Sequence, residues 1–197
     1  MDFAHWLVIL SALIGIAGVS IYIRDTLIGK TKPNRVSYFM WALAPFIATA
    51  AALSAHADMW ATVRIFLGGF FPFLVFVASF INPQSYWKLT LFDFVCGACA
   101  LFALAVWGIV GSPQTAILFA AIGDGFASIP TLVKAWKHPE TETGLSYAAS
   151  FVSVLLVIPS IPRWDIENSA FQVYLFLCNG LLFLVVYRRH IGKLFLR

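Results

Sequence analysis

The chain contains a charged turn between two apolar stretches, Asp124-Gly-Phe-Ala-Ser-Ile-Pro130-Thr-Leu-Val-Lys-Ala-Trp-Lys137-His-Pro-Glu-Thr-Glu-Thr-Gly-Leu-Ser146-Tyr147. Shifted back by 109 positions without a gap, a similar pattern begins at Gly15 and ends at Ser37-Tyr38, so the two Ser-Tyr pairs coincide. Similarity at a fixed offset indicates a structural unit that occurs twice. We therefore expect a protein built from two copies of one helical unit.

The composition indicates a membrane protein. Of the 197 residues, 61% are hydrophobic and 11% are charged, and the mean hydropathy is +0.87. A water-soluble domain of this size cannot cover its surface with so few charged side chains. A helix needs about 20 mostly apolar residues to cross a bilayer. Seven segments meet this requirement: 3–23, 36–54, 60–81, 89–110, 115–133, 145–161 and 170–187.

The predicted fold is an all-α integral membrane protein with seven transmembrane helices. Residues 1–81 form the first three-helix repeat, 82–112 the linker helix and 113–197 the second three-helix repeat. Because one linker helix crosses the membrane once, both repeats start on the same side and are parallel. The expected arrangement is three helices, one helix and three helices.

The distribution of positive charge predicts the orientation. When the loops alternate between the two sides, eleven of the 13 Lys and Arg residues fall on one side, opposite Arg64 and Arg163. The positive-inside rule then places the N-terminus outside and the C-terminus in the cytoplasm. The net charge of +4 is thus explained by topology and by contact with membrane lipids, and nucleic acid is not an expected partner. The first segment has no Lys or Arg before Arg24, so we expect it to stay in the membrane.

Asp124 is the first candidate functional residue, because it lies in the middle of the fifth segment. A carboxylate there costs about 3 kcal/mol on insertion scales, so such residues usually face a bundle interior or a water-filled cavity. Ser128 and Thr131 follow on the same helix face. We predict that Asp124 binds a solute or exchanges a proton; the alternative is a hydrogen-bonded structural role.

Further candidates come from other segments. Trp41 is predicted to line a cavity, since stacking on an aromatic ring is a common way to hold a small ligand. The amide of Asn179 could bond a ligand or a neighbouring helix, and a proline inside a helix can bend it. The predicted substrate-binding residues are Trp41, Asp124, Ser128 and Asn179, and the predicted hinge or gating residues are Pro45, Pro130, Tyr38 and Tyr147.

Four secondary expectations concern charges and small residues. Exposed salt bridges among Lys134, Lys137, Glu140 and Glu142 could hold an inward gate shut. Asp93 is expected to pair with Lys88 or reach headgroup water, in a structural role. Arg64 is expected to snorkel to the outer surface, with a gating contact as the alternative. Helix packing is the expected role of Cys96-Gly-Ala-Cys99 and of a stripe on the first segment, and that stripe consists of Ser11, Gly15, Gly18 and Tyr22.

The seven segments, Pro130 near the end of the fifth and Asn179 in the seventh resemble the SWEET and PQ-loop superfamily of small transporters. The Pro-Gln pair of that family would fall on Ile21-Tyr22 and on Pro130-Thr131, so one copy lacks the proline and the other lacks the glutamine. The Asn that flanks substrate in the family corresponds to Asn179, with Gly68-Gly69 near the first-repeat position. Trp41 is similar in depth to the family's stacking aromatic, and Asp124 to carboxylates of its proton-coupled members.

The resemblance implies a carrier of a small polar solute, such as a sugar or amino acid, that works by alternating access, as a uniporter or with protons. The alternative is a seven-helix receptor or assembly protein without solute flux, in which Asp124 is structural. An enzyme is not expected, because no nucleophile or metal-ligand motif is present and the four His residues lie at segment ends or in loops. No cofactor or metal is predicted, and a homo-oligomer is left open.

Overall fold

The computed structural model describes residues 3–54, 59–110, 113–161, 164 and 166–195. These residues form an all-helical protein, as predicted, and each predicted segment corresponds to one α helix. Segments 60–81 and 145–161 extend beyond the ends of their helices at Ala78 and Val157. The helices are α1 (Phe3–Leu27), α2 (Arg35–Ser54), α3 (Met59–Ala78), α4 (Leu91–Val110), α5 (Pro113–Lys137), α6 (Gly144–Val157) and α7 (Ile166–Phe195). Short 3₁₀ helices lie at Pro83–Ser85, Pro139–Thr141 and Ile158–Ser160.

The surface of the bundle is apolar and much of its interior is polar. On α4, Leu91, Phe102 and Ile109 expose 79%, 71% and 83% of their surface, whereas Asn34 and Ser37 are completely buried. This is the reverse of a water-soluble protein, and such apolar surfaces are typical of contact with lipid. Within the described residues, three helices are long and apolar enough to cross a membrane, over Trp6–Leu27, Leu118–Lys137 and Ser169–Arg188.

The helix contacts of α1 to α3 are repeated in α5 to α7. Helix α3 packs against both α1 and α2, and α7 packs against both α5 and α6. Between the two groups, α1 packs on α6 and α2 packs on α5. Helix α4 lies against α5 and α2. The third helix of each group therefore joins the other two, and the first helix of each group meets the second helix of the other.

The small-residue stripe of α1 faces protein, as predicted. A Cβ placed on Gly18 would lie 2.6 Å from the Ala149 Cβ and 3.4 Å from the Ser146 carbonyl oxygen. About one turn beyond Ala149 on α6, the Ser153 hydroxyl donates to the Ser11 carbonyl oxygen over 3.0 Å. Small side chains thus allow α1 and α6 to approach closely.

Asp93 fixes the start of α4. Its Oδ2 accepts hydrogen bonds from the Thr90 backbone N–H at 2.6 Å and from the Thr90 hydroxyl at 2.7 Å. The first of these is the side-chain-to-backbone bond of a capping box. Its Oδ1 accepts a bond from Asn34 Nδ2 at 2.7 Å. The structural role agrees with the expectation, but the partners are Thr90 and Asn34 instead of Lys88. Because α4 begins at Leu91, Lys88 lies before the helix, where helical spacing does not apply.

Replacing Gly18 by alanine should destabilise the bundle, because the added methyl group would collide with Ala149. We expect a cost of about 1–3 kcal/mol, the usual range for overpacking. The matched control is Gly108→Ala on α4, where a Cβ would meet no atom within 4 Å and helix propensity favours alanine by about 1 kcal/mol. Thermal unfolding in detergent measures both variants, and equal midpoints would contradict the prediction.

Candidate functional site

A cavity of about 750 Å³ lies between the helices and is lined by side chains of α1, α2, α3, α5, α6 and α7. Most of the lining is aliphatic or aromatic, as at Val19, Phe71 and Leu175. The volume lies within the range of small-ligand sites, about 300–1,000 Å³. Of the predicted site residues, the lining includes Tyr38, Trp41, Pro45, Asp124, Tyr147 and Asn179.

Asp124 is the centre of a hydrogen-bonded network, which we call the Asp124 network. The Tyr174 hydroxyl donates to Asp124 Oδ2 at 2.6 Å and lies 3.1 Å from Ser128 Oγ. Ser128 Oγ donates to the Asp124 carbonyl oxygen at 2.9 Å. Trp41 Nε1 and Cys178 Sγ both donate to Ser128 Oγ, at 3.3 Å and 3.2 Å. The network therefore joins α2, α5 and α7.

The structure brings three of the four predicted binding residues into this network. Trp41 and Asp124 line the cavity. Ser128 is only 2% exposed and accepts the hydrogen bond from Trp41 Nε1. Asn179 lines the same cavity, but its Nδ2 donates to the Leu175 carbonyl oxygen of its own helix at 2.8 Å. Asn179 thus lies beside the cavity, with one of its two amide N–H groups bonded to the backbone.

Tyr174 was missed by the sequence analysis. It lies on α7, which packs against α5, and its hydroxyl is the side-chain donor to Asp124. A signal was available, because a tyrosine hydroxyl within an apolar segment needs a hydrogen-bond partner. The sequence alone does not tell which helices are neighbours, so it could not assign that partner.

The cavity ends at three tyrosines, Tyr22, Tyr38 and Tyr147, which we call the tyrosine cluster. The Tyr22 ring centroid lies 5.4 Å from that of Tyr38 and 6.1 Å from that of Tyr147. The hydroxyls of Tyr22 and Tyr147 donate to Glu142 Oε2 at 2.6 Å and 2.8 Å. All three tyrosines are buried, so they close the cavity next to the turns at 28–34 and 138–143.

Glu142 also forms a buried ion pair. Lys134 Nζ lies 2.5 Å from Glu142 Oε1, and the two side chains are 1% and 0% exposed. Lys134 Nζ donates in addition to the Lys32 carbonyl oxygen. A pairing within this charged turn was expected, but the expectation of an exposed bridge is wrong. The turn folds back onto the bundle and covers the pair, with Lys32 N–H donating to the Thr141 carbonyl oxygen at 3.0 Å.

The two turns are joined by further polar contacts. Thr31 and Thr143 share a hydrogen bond of 2.7 Å between their hydroxyl oxygens. The Thr143 hydroxyl lies 2.9 Å from Asp25 Oδ2, and Lys30 Nζ also binds that oxygen at 2.9 Å. Arg24 binds the other carboxylate oxygen at 2.9 Å. Asp25 is thus a buried anion surrounded by donors from both turns.

The two predicted hinge prolines lie inside continuous helices, Pro45 in α2 and Pro130 in α5. Pro45 lines the cavity, and Pro130 is buried. Opposite Pro45, a Cβ on Gly69 would lie 3.0 Å from the Pro45 Cβ, so α2 and α3 touch there. Bending at these prolines stays a prediction. The side chain of Arg64 lies outside the described part of the chain.

Comparison of the chain with family models, with curated proteins and with solved structures finds no match. Within the described residues, no group of three or more His, Cys, Asp or Glu side chains is arranged to hold a metal ion. The cavity, the Asp124 network and the tyrosine cluster are therefore the features on which a functional argument rests.

Replacing Glu142 by glutamine should strongly destabilise the protein, because it leaves the Lys134 ammonium buried without its counter-ion. Breaking one partner of a buried ion pair costs about 3–5 kcal/mol, whereas replacing both partners is often close to neutral. We therefore expect the double variant Lys134→Met/Glu142→Gln to recover most of the stability. The measurement is unfolding in mixed detergent micelles.

The matched control for this cycle is Glu140→Gln in the same turn. Glu140 is 62% exposed in its pair with His138, and we expect a change within about 0.5 kcal/mol. A Glu142→Gln variant as stable as Glu140→Gln would show that the buried pair does not hold the turn.

Proposed function

We propose that this chain is a seven-helix membrane carrier that moves a small solute by alternating access, as its resemblance to the SWEET and PQ-loop superfamily implies. In this proposal α1 to α3 and α5 to α7 are parallel repeats joined by the linker α4, with the N-terminus outside and the C-terminus in the cytoplasm. The repeated helix contacts support it, since the third helix joins the other two in both groups. The 109-position echo in the sequence supports it independently.

The position of the cavity carries the proposal. Its lining comes from all six helices of the two groups, and it therefore lies where one group would move against the other. A carrier needs such a central site, reached from one side at a time. The Asp124 network lies at this site and includes residues of both groups, with Trp41 from the first and Tyr174 from the second.

The tyrosine cluster is suited to be the inner gate. Tyr22 and Tyr38 come from the first group and Tyr147 from the second, and Glu142 binds across the boundary to Tyr22. On the proposed topology, the two turns face the cytoplasm, so the described conformation is closed on that side. Opening inward would separate Tyr22 from Glu142 and Lys134 from the Lys32 carbonyl oxygen. It would also break the hydrogen bonds between the two turns, from Thr143 to Thr31 and Asp25 and from Lys32 to Thr141. These bonds would be exchanged for hydration and for new contacts at the outer end.

Counterflow uptake into proteoliposomes tests the proposal, over a panel of labelled sugars, amino acids and organic amines with and without an inward proton gradient. We expect uptake of at least one class by the native chain. Replacing Asp124 by asparagine should lower it by at least about tenfold, since loss of one charged contact is worth about 1.4 kcal/mol or more. The matched control Glu140→Gln, away from the cavity, should transport normally.

The outcomes separate the alternatives. Uptake that increases with the gradient and is lost in Asp124→Asn would make the protein a proton-coupled carrier. Uptake independent of the gradient would make it a uniporter. Absence of any uptake by a monodisperse, folded preparation would contradict the carrier and favour a receptor or assembly protein.

A further inference from the structure

The charge balance of the cavity is unusual. Asp124 lines it, and among the lining side chains that the structure describes there is no Lys, Arg or His. The nearest lysine along α5, Lys134, is ten residues away, which is about 15 Å along a helix. That lysine is already bound to Glu142 and to the Lys32 carbonyl oxygen. The described cavity therefore presents a carboxyl group with no basic side chain in its lining.

Tyr174 satisfies only part of the hydrogen-bonding capacity of the Asp124 carboxylate. Its hydroxyl donates one hydrogen bond, to Oδ2, and a neutral donor does not cancel the charge. In comparison, the Glu142 carboxylate has two tyrosine donors and an ammonium group. A carboxylate inside a membrane protein is normally paired. A bound cation would supply what the described side chains around Asp124 do not.

The rest of the lining argues against two other solutes. A zwitterionic amino acid would need a cation for its own carboxylate, and the described lining offers none. A sugar would need a hydrogen bond for each hydroxyl, but several polar side chains of the lining already have partners within the protein. Ser11 and Ser153 lie 3.1 Å apart, and one Asn179 amide N–H is bound to the Leu175 carbonyl oxygen. The polar side chains that remain, such as Ser150 and Gln172, are a small part of a mostly apolar lining.

The apolar part of the lining indicates the body of the ligand. Aliphatic side chains alternate with aromatic rings, and Trp41 and Tyr38 stand next to each other with centroids 5.0 Å apart. Aromatic rings attract cations as well as apolar groups. Such a wall suits an apolar organic body that carries one positive charge.

We propose that the solute is an organic monocation with an apolar body and no carboxylate, whose ammonium group is bound by Asp124 while its body packs against Trp41. The claim that this cation is transported rests on the proposed carrier function. The claim that it binds at Asp124 does not. It predicts a specific order of affinity within a series of ligands that share one body.

Equilibrium binding to the purified protein in detergent tests this with three probes: phenethylamine, phenylalanine and 2-phenylethanol. They share a phenylethyl body and carry an ammonium group, an ammonium plus a carboxylate, and a neutral hydroxyl. We expect labelled phenethylamine to bind. Phenylalanine and 2-phenylethanol should each displace it at least tenfold less effectively than unlabelled phenethylamine does. Equal potency of the three, or a preference for phenylalanine, would overturn the proposal.

Variants separate binding from folding. Asp124→Asn should weaken phenethylamine binding at least tenfold, while Tyr174→Phe keeps the carboxylate, frees Oδ2 and should bind as tightly or more tightly. Unchanged binding in Asp124→Asn would overturn the proposal, and so would loss of binding in a folded Tyr174→Phe protein. Thermal unfolding of each variant confirms that it is folded.

Arg64 provides one more decisive variant, because it follows Val63 and precedes Ile65, which both line the cavity. We expect Arg64→Gln to bind phenethylamine within threefold of the native affinity, or more tightly. Binding by Arg64→Gln but not by the native chain would overturn the proposal. Phenethylamine binding without uptake in proteoliposomes would support the cation site and contradict the carrier function. Uptake of a sugar without amine binding would support the carrier function and contradict the cation site.

Discussion

The Glu142 carboxylate holds the end of the bundle together. One oxygen accepts hydrogen bonds from Tyr22 of α1 and Tyr147 of α6, and the other binds Lys134 of α5. All four side chains are buried, where an unpaired charge would be costly. The turn that contains Glu142 must therefore fold back onto the helices, which brings Thr141 to Lys32 and Thr143 to Thr31. The closed end of the cavity follows from these contacts.

Asp124 and Glu142 are the same kind of group in different surroundings. Glu142 has two tyrosine donors and an ammonium group, which compensate for its burial without a ligand. Asp124 has one tyrosine donor and faces a cavity. The number of bonded partners, and not the residue type, distinguishes these two carboxylates. Glu142 is used to close the bundle, whereas Asp124 can still bind a further partner from the cavity.

Helices α1 to α7 could be predicted because a long apolar segment indicates a helix whatever its neighbours in the fold are. Asp124 and Ser128 could be predicted together because helical spacing places them on one face. Trp41 could be predicted separately, because an aromatic ring at that depth suits a ligand cavity. Tyr174 and the burial of Glu142 could not. Their roles depend on which helices touch and on how a turn folds back, and these are tertiary properties. For the same reason the expected partner of Asp93, Lys88, was wrong, since Thr90 and Asn34 bind it instead.

The echo in the sequence aligns Asp25 with Lys134. Each reaches the opposite turn: Asp25 contacts Thr143, and Lys134 donates to the Lys32 carbonyl oxygen. Two identical chains related by a two-fold axis would place the same residue at both positions, and hence two like charges at one end of the assembly. A single polypeptide that carries both halves is free of that constraint. On the proposed repeat, one chain can therefore carry opposite charges at these two paired positions, which two identical chains cannot.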